Sequence, residues 1–182
     1  MDEPHVVGLS GSLRDRSHTR VALERALEAA AAAGATTGCI DLREYDLPVF
    51  DADDREAGDA PALLERVEAA DSLLLGTPVY HGSYSSALKN AVDYCGFDEF
   101  RDTTCGLVAV SGGGLPGGTF DHLRAVCTTL NAWVIPRPTA VRQASSRIDY
   151  ETGTVTDEDV AERLARLGET AVRYAGTESP SR

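Results

Sequence analysis

Residues 6–20 read VVGLSGSLRDRSHTR: a short apolar run, then a turn of glycine, serine and arginine, then the first residues of a segment rich in alanine, leucine and glutamate. The run is short enough for a strand, and the helix-forming stretch from about Ser17 to Ala33 is stopped by Gly34. A strand entering a helix through such a turn opens a βαβ unit. The turn itself offers hydroxyls at Ser10, Ser12 and Ser17, a guanidinium at Arg14, and backbone amides left unpaired where the helix begins. A phosphate monoester needs several such donors at once, and a helix terminus adds partial positive charge without a metal.

Two common phosphate loops do not match. A Walker A loop needs GxxxxGK followed by serine or threonine, and no lysine lies near this turn. The dinucleotide fingerprint GxGxxG is not met by GLSGSLR, where Ser10 intervenes and Gly8 and Gly11 stand three apart; the bulkier loop suits a terminal phosphate better than a pyrophosphate. The alternative for the isolated loop is a capped strand-to-helix turn, with Arg16 and Arg20 solvated.

The alternation continues along the chain. TTGCIDLR (36–43) reads as a second strand, PALLERVEAA (61–70) as a helix, and SLLLGTP (72–78) as a strand buried on both faces. SSALKNAVDYC (85–95) is helical, TCGLVAVSGGG (104–114) is strand and glycine turn, and TFDHLRAVCTTLNA (119–132) is helical again. WVIPRP (133–138) is a last strand closed by prolines. Residues 43–60, with seven acidic and two basic side chains around YDLPVF, read as a surface connection with an anchored apolar patch. From Thr156 a final helix places Val160, Leu164, Leu167 and Ala171 on one core-facing stripe. Five strands alternating with helices predict an α/β three-layer sandwich on a parallel sheet. They match the order 2-1-3-4-5, although the pattern does not itself set the order.

In such a sheet the loops after strands one, three and four leave the same edge and converge. The second of them supplies Pro78, Tyr80, His81 and Gly82, which could line a planar ring and bond its polar edge, then hydroxyls from Ser83, Ser85 and Ser86 ahead of a helix. His81 reads equally as an ordinary loop histidine; no second ligand is spaced beside it for a metal. The third supplies Ser111 with Gly112, Gly113 and Gly114, where missing side chains let something flat approach the backbone, or where the turn is simply flexible. Asp121, His122 and Arg124 face different directions on their helix, so they form no relay. The many serines include no GxSxG elbow, which argues against a covalent nucleophile.

The 182 residues and 42% hydrophobic content suit one domain over 1–182, with a frayed tail at 176–182. With 29 acidic and 17 basic residues the formal charge is −12, which repels phosphate backbones and makes a nucleic-acid partner an unexpected one. Lys89 is the single lysine; this acidic, alanine-rich composition would suit a high-salt host, although base composition can also favour arginine. No run approaches the roughly 18 apolar residues of a membrane span, and MDEPH is acidic where a secretory leader is basic. A soluble cytoplasmic protein without a membrane partner is expected. Cys39, Cys95, Cys105 and Cys127 form no CxxC pair or zinc spacing and read as buried small hydrophobes.

GSLRDRSHTR, TPVYHGSYSSALKNAVDYC and SGGGLPGG together resemble the NAD(P)H-dependent FMN reductase family, which also contains chromate, quinone and azo-dye reductases. The resemblance runs from about Val6 to Arg173. It implies a flavodoxin-like fold and noncovalent FMN. Ser10, Ser12, Arg14 and Ser17, with Leu13 in the same loop, would hold its phosphate; residues Pro78 to Ser83 would line the isoalloxazine, and Ser111 with Gly112 to Gly114 would complete the pocket. Leu88, Lys89, Asn90 and Asp93 match the family's LKNAxD helix, a structural and interface signature. Many members carry glutamate where this chain has Val79. The resemblance also implies NADPH or NADH as electron donor, a small-molecule acceptor such as a quinone, flavin, azo compound or metal ion, no obligatory catalytic side chain, and a homodimer or homotetramer. A flavodoxin-type electron carrier and a cofactorless scaffold are the competing readings.

Overall fold

In the computed structural model, residues 3–175 are described. The tail expected from Gly176 lies outside them. Strands β1 (His5–Ser10), β2 (Thr36–Asp41), β3 (Ser72–Pro78) and β4 (Thr104–Val110) form a parallel sheet whose fifth place is taken by β5 (Trp133–Val134) and β6 (Thr139–Val141). The order is β2-β1-β3-β4-β5, with β6 also beside β4, so the expected 2-1-3-4-5 arrangement is present. Helices α1 (His18–Ala32) and α6 (Glu158–Tyr174) cover one face. On the other lie α2 (Ala60–Glu68), α3 (Ser86–Tyr94), the short α4 (Phe97–Phe100) and α5 (Thr119–Thr129). A small antiparallel hairpin, β7 (Ile148–Asp149) and β8 (Thr154–Val155), precedes α6.

Alternation in β1 explains the two cores: Val6 turns toward α1 and α6, and Val7 and Leu9 toward α2 and α3. Capping sets the helix starts. Ser17 Oγ accepts from Arg20 N at 3.1 Å and Asp157 Oδ1 accepts from Val160 N at 3.0 Å. Val160, Leu164, Leu167 and Ala171 are buried on α6 as their spacing predicts. Where α6 crosses α1, a Cβ on Gly168 would lie 2.0 Å from the Ala26 carbonyl oxygen, so only glycine allows this approach.

Two strand ends differ from the sequence reading. The second strand stops at Asp41, because its carboxylate accepts from Arg43 N and turns residues 42–44 into a 3-10 helix. The last strand breaks at its prolines, which lack a donor, but it resumes: Trp133 and Val134 pair with Thr104 and Cys105, and Thr139–Val141 rejoin opposite Val108–Val110. The edge position tolerates that break. Elsewhere, YDLPVF is anchored as expected: Asn90 donates to the Pro48 carbonyl at 2.8 Å and accepts from Phe50 N at 2.8 Å, while the Tyr94 hydroxyl donates to Pro48 at 3.0 Å. All four cysteines are free; three are buried and Cys39 is half-buried. Burial, followed by Glu24 and Asp41, pushes the Cys39 thiol up to about 11, so it stays protonated at neutral pH.

Register aligns Ser10 with Gly76, Pro78 with Val110, and Val110 with Val141, which brings the loops out at one edge. The first two loops are then tied together. Gly11 N donates to the Gly76 carbonyl at 2.8 Å, and Ser85 Oγ donates to the Gly11 carbonyl at 2.6 Å while accepting from Leu88 N at 3.1 Å. Thr77 Oγ1 accepts from Ser85 N at 2.9 Å and donates to the Pro78 carbonyl at 2.8 Å. A Cβ on Gly11 would come within 2.7 Å of Leu88 Cβ, so the loop can lie this close to α3 only with glycine there.

Gly168→Ala is therefore expected to force α1 and α6 apart and to lower stability by about 2 kcal/mol or more, roughly 5 °C in Tm. Ser85→Ala removes a helix cap and strands a buried carbonyl, an expected loss of about 2 kcal/mol. Urea unfolding checks both; midpoints equal to that of the parent protein would contradict the packing and capping roles assigned here.

Candidate cofactor site

The three loops meet around a cavity of about 270 Å³. Ser12 and Arg14 enter from the first loop, Pro78, Val79 and Tyr80 from the second, and Ser111 and Gly112 from the third. Sequence reasoning missed the remaining wall: Arg16, His18 and Thr19 continue the first loop into α1, and Ala144 and Ser145 arrive from the loop after β6. That fourth loop is tied in by Ser111 N, which donates to the Val141 carbonyl at 2.8 Å, and by Ala144 N, which donates to the Ser111 carbonyl at 3.0 Å. Gln143, in the left-handed region at φ 49°, makes the turn.

In the first loop the amides of Asp15, Arg16, Ser17 and His18 donate to no acceptor among the described residues. They fan around the N-terminus of α1, whose cap Ser17 is buried. Ser12 is also buried, and its hydroxyl accepts from Arg14 N at 3.4 Å. No carboxylate pairs with Arg14 among the described residues, whereas Arg43 is held by Asp41 and donates to the carbonyls of Arg14 and Asp15 at 3.5 and 3.4 Å, bracing the loop from below. Ser10 sits at the end of β1, fully buried, and its hydroxyl has no hydrogen-bond partner among the described residues. Leu13 points elsewhere, into a groove beside α3.

The second loop turns tightly. Tyr80 and Ser83 exchange backbone hydrogen bonds of 3.0 Å each way, with His81 at φ 51° and Gly82 at φ 79° between them. That geometry leaves Tyr80 half exposed at the rim and carries His81 and Gly82 beyond the cavity wall. Ser83 Oγ bonds His122 Nδ1 at 2.9 Å, so His122 on α5 supports this turn. Val79 N donates to the Val110 carbonyl at 3.0 Å and joins the second loop to the third. In the third, Ser111 Oγ donates to the Gly114 carbonyl at 2.9 Å. A Cβ at Gly112, Gly113 or Gly114 would meet nothing within 4 Å, so the chain's own packing does not account for these glycines.

The electrostatics set the cleft apart. In a chain of formal charge −12 its wall carries Arg14, Arg16 and His18 and no carboxylate. Burial, followed by the Arg14 charge, holds His18 below the usual histidine range, so its ring is neutral at pH 7 and can donate or accept. Unpaired amides, two hydroxyls and a free guanidinium fit a phosphate monoester. A proline–valine–tyrosine wall opposite an open glycine run fits a flat ring. Among the described residues no cluster of histidine, cysteine and carboxylates could hold a metal ion.

Comparisons with known proteins agree with that chemistry. The model of the family described as NADPH-dependent FMN reductase matches residues 4–146. An FMN-dependent NADPH-azoreductase of Staphylococcus haemolyticus (strain JCSC1435) is 32% identical over 147 residues, covering 71% of this chain and 78% of that enzyme. The Staphylococcus aureus (strain USA300) enzyme of the same description is 42% identical over 82 residues, 45% of this chain and 44% of its own length. Among solved structures, the flavoenzyme NAD(P)H:(acceptor) oxidoreductase FerB from Paracoccus denitrificans superposes with a TM-score of 0.80 at 22% identity, covering 96% of this chain and 98% of that one. At that identity the superposition speaks to fold alone. With the family model matching well over half of the chain, this protein belongs to the NADPH-dependent FMN reductase family.

Proposed function

We propose that the three-loop cleft holds FMN with its phosphate in the first loop, and that the protein passes electrons from a nicotinamide donor to a small acceptor. The observation carrying this reading is the carboxylate-free wall bearing Arg14 and the unpaired amides in a strongly acidic chain. Ser12, Arg14, Ser17 and the amides of residues 15–18 would bind the phosphate. Pro78, Val79 and Tyr80 would lie along the ring, with His81, Gly82 and Ser83 shaping the turn that presents them. Ser111 and Gly112 to Gly114 would leave the ring's far edge open to its partners. Ser10 and Leu13 would act from behind the loop and beside it.

Bound there, FMN supplies hydride acceptance from the donor and release of electrons to the acceptor. The chain's own residues bind and orient it: loop amides fix the phosphate end, and the His18 ring contributes a hydrogen bond. Electron transfer through the flavin requires no obligatory side-chain acid or base. The azoreductase descriptions of the staphylococcal relatives favour an azo compound, and with it quinones and flavins, as acceptor.

The chain would work as one domain in the cytoplasm, apart from nucleic acids given its charge. Among the described residues no helix is long and apolar enough to cross a membrane. A homo-oligomer is favoured by Leu13 and Val49, which are 60% and 87% exposed beside a groove of about 710 Å³ along α3.

Anaerobic addition of NADH or NADPH to the FMN-loaded protein is expected to bleach the flavin absorbance rapidly. A flavin that stays oxidised would identify an electron carrier instead, and a protein that takes up no flavin would be a scaffold. Arg14→Ala is expected to weaken FMN binding by about tenfold to a hundredfold, read by fluorescence quenching, with the fold intact. Unchanged affinity would remove Arg14 from the phosphate site.

A further inference from the structure

Beside the cofactor cleft lies a second cavity of about 400 Å³, within the range of small-ligand sites. The two share Arg14, Arg16, His18 and Ser145 as a common wall. The far side of the second is the β7–β8 hairpin, which begins after residue 146, the last that the family model matches. The Arg16 guanidinium carbon lies 4.6 Å from the centroid of the Tyr150 ring, and the His18 ring meets Tyr150 edge-on at 6.3 Å. Asp149 accepts from the amides of Glu151 and Thr152 at 2.9 and 3.4 Å, and these bonds hold its carboxyl below the usual range. Glu151 accepts from the Tyr150 hydroxyl at 2.9 Å. The cavity is thus cationic on the wall it shares with the phosphate loop, aromatic in the middle and anionic on its outer rim.

That gradient matches one kind of ligand. A pyrophosphate needs the arginine side, a purine needs a flat ring, and a ribose diol donates well to carboxylates, which in turn repel a phosphate at the same place. We propose that this cavity is the subsite for the adenosine half of the nicotinamide donor, with Arg16 toward its pyrophosphate, Tyr150 against adenine, and Asp149 and Glu151 at the ribose. The inference rests on the oxidoreductase reading above and deepens it. It makes NADH the preferred donor, because the 2′-phosphate of NADPH would meet the two carboxylates.

The test measures ADP-ribose binding by calorimetry, with and without FMN, alongside reduction kinetics with NADH, NADPH and reduced nicotinamide mononucleotide, which lacks adenosine. Tyr150→Ala is expected to weaken ADP-ribose and to lower kcat/KM for NADH by about tenfold, while the mononucleotide reacts as before and FMN is retained. Tyr150→Phe should restore most of the loss, and Glu151→Gln should raise NADPH relative to NADH by about fivefold. Should Tyr150→Ala fail to fold, Tyr150→Leu, which keeps the bulk and removes the aromatic face, must reproduce the split between NADH and the mononucleotide. An ADP-ribose affinity and a NADH-to-mononucleotide ratio within twofold of the parent protein in these variants would overturn the proposal. If ADP-ribose binds through Tyr150 but no donor reduces the flavin, the adenosine subsite stands and the oxidoreductase reading falls.

Discussion

The hydroxyl of Ser85 holds the Gly11 carbonyl at 2.6 Å, and the carboxyl edge of the sheet is organised around that contact. It makes one side chain serve as the cap of α3 and as the clasp on the first loop. With Gly11 N on the Gly76 carbonyl, the loop is pinned at its root and its next six residues are left free of the ladder. Those residues wrap the start of α1 with their amides turned away from internal partners, an arrangement that protein acceptors do not satisfy and an anion would. Gly11 is fixed by the same geometry, since any side chain there would strike α3.

Charge placement does the rest. An excess of carboxylates spread over the surface would oppose binding of a dianionic phosphate, but screening confines that effect to about 8–10 Å at ordinary salt. What the phosphate would meet is the local wall, and there the acids are withheld. Asp41, the carboxylate closest in sequence to the edge of the sheet on β2, is committed to Arg43, which in turn grips the first loop's carbonyls. Asp15, within the loop, is fully exposed and lies 3.8 Å from Arg43, while Asp149 and Glu151 line the second cavity from the hairpin.

Much of this was legible in the sequence because it rests on local signals. Strand runs, glycine stops and the periodic stripe of α6 follow from propensity and period, and the convergence of three loops follows from a parallel sheet. Less accessible were features that depend on tertiary partners. Pro136 and Pro138 correctly signal a break, but whether a strand resumes after them depends on an open place beside β4, which composition does not encode. The wall made by Ala144 and Ser145 was invisible for the same reason. Arg16 read as solvated because its partner, Tyr150, is 134 positions away and belongs to a two-residue strand pair too short to announce itself. Ser85 was seen as a hydroxyl ahead of a helix, while its hold on Gly11 required the fold.

The most direct test of the central claim, that the first loop is a phosphate site, is a comparison of FMN with riboflavin, which has the same ring and ribityl chain but no phosphate. Fluorescence quenching titrations at fixed ionic strength give both affinities. If the unpaired amides, Ser12, Arg14 and Ser17 act as described, FMN binds about a hundredfold more tightly or better, a hundredfold being the size of one or two charge-assisted hydrogen bonds. Equal affinities for the two flavins would contradict the account at its base.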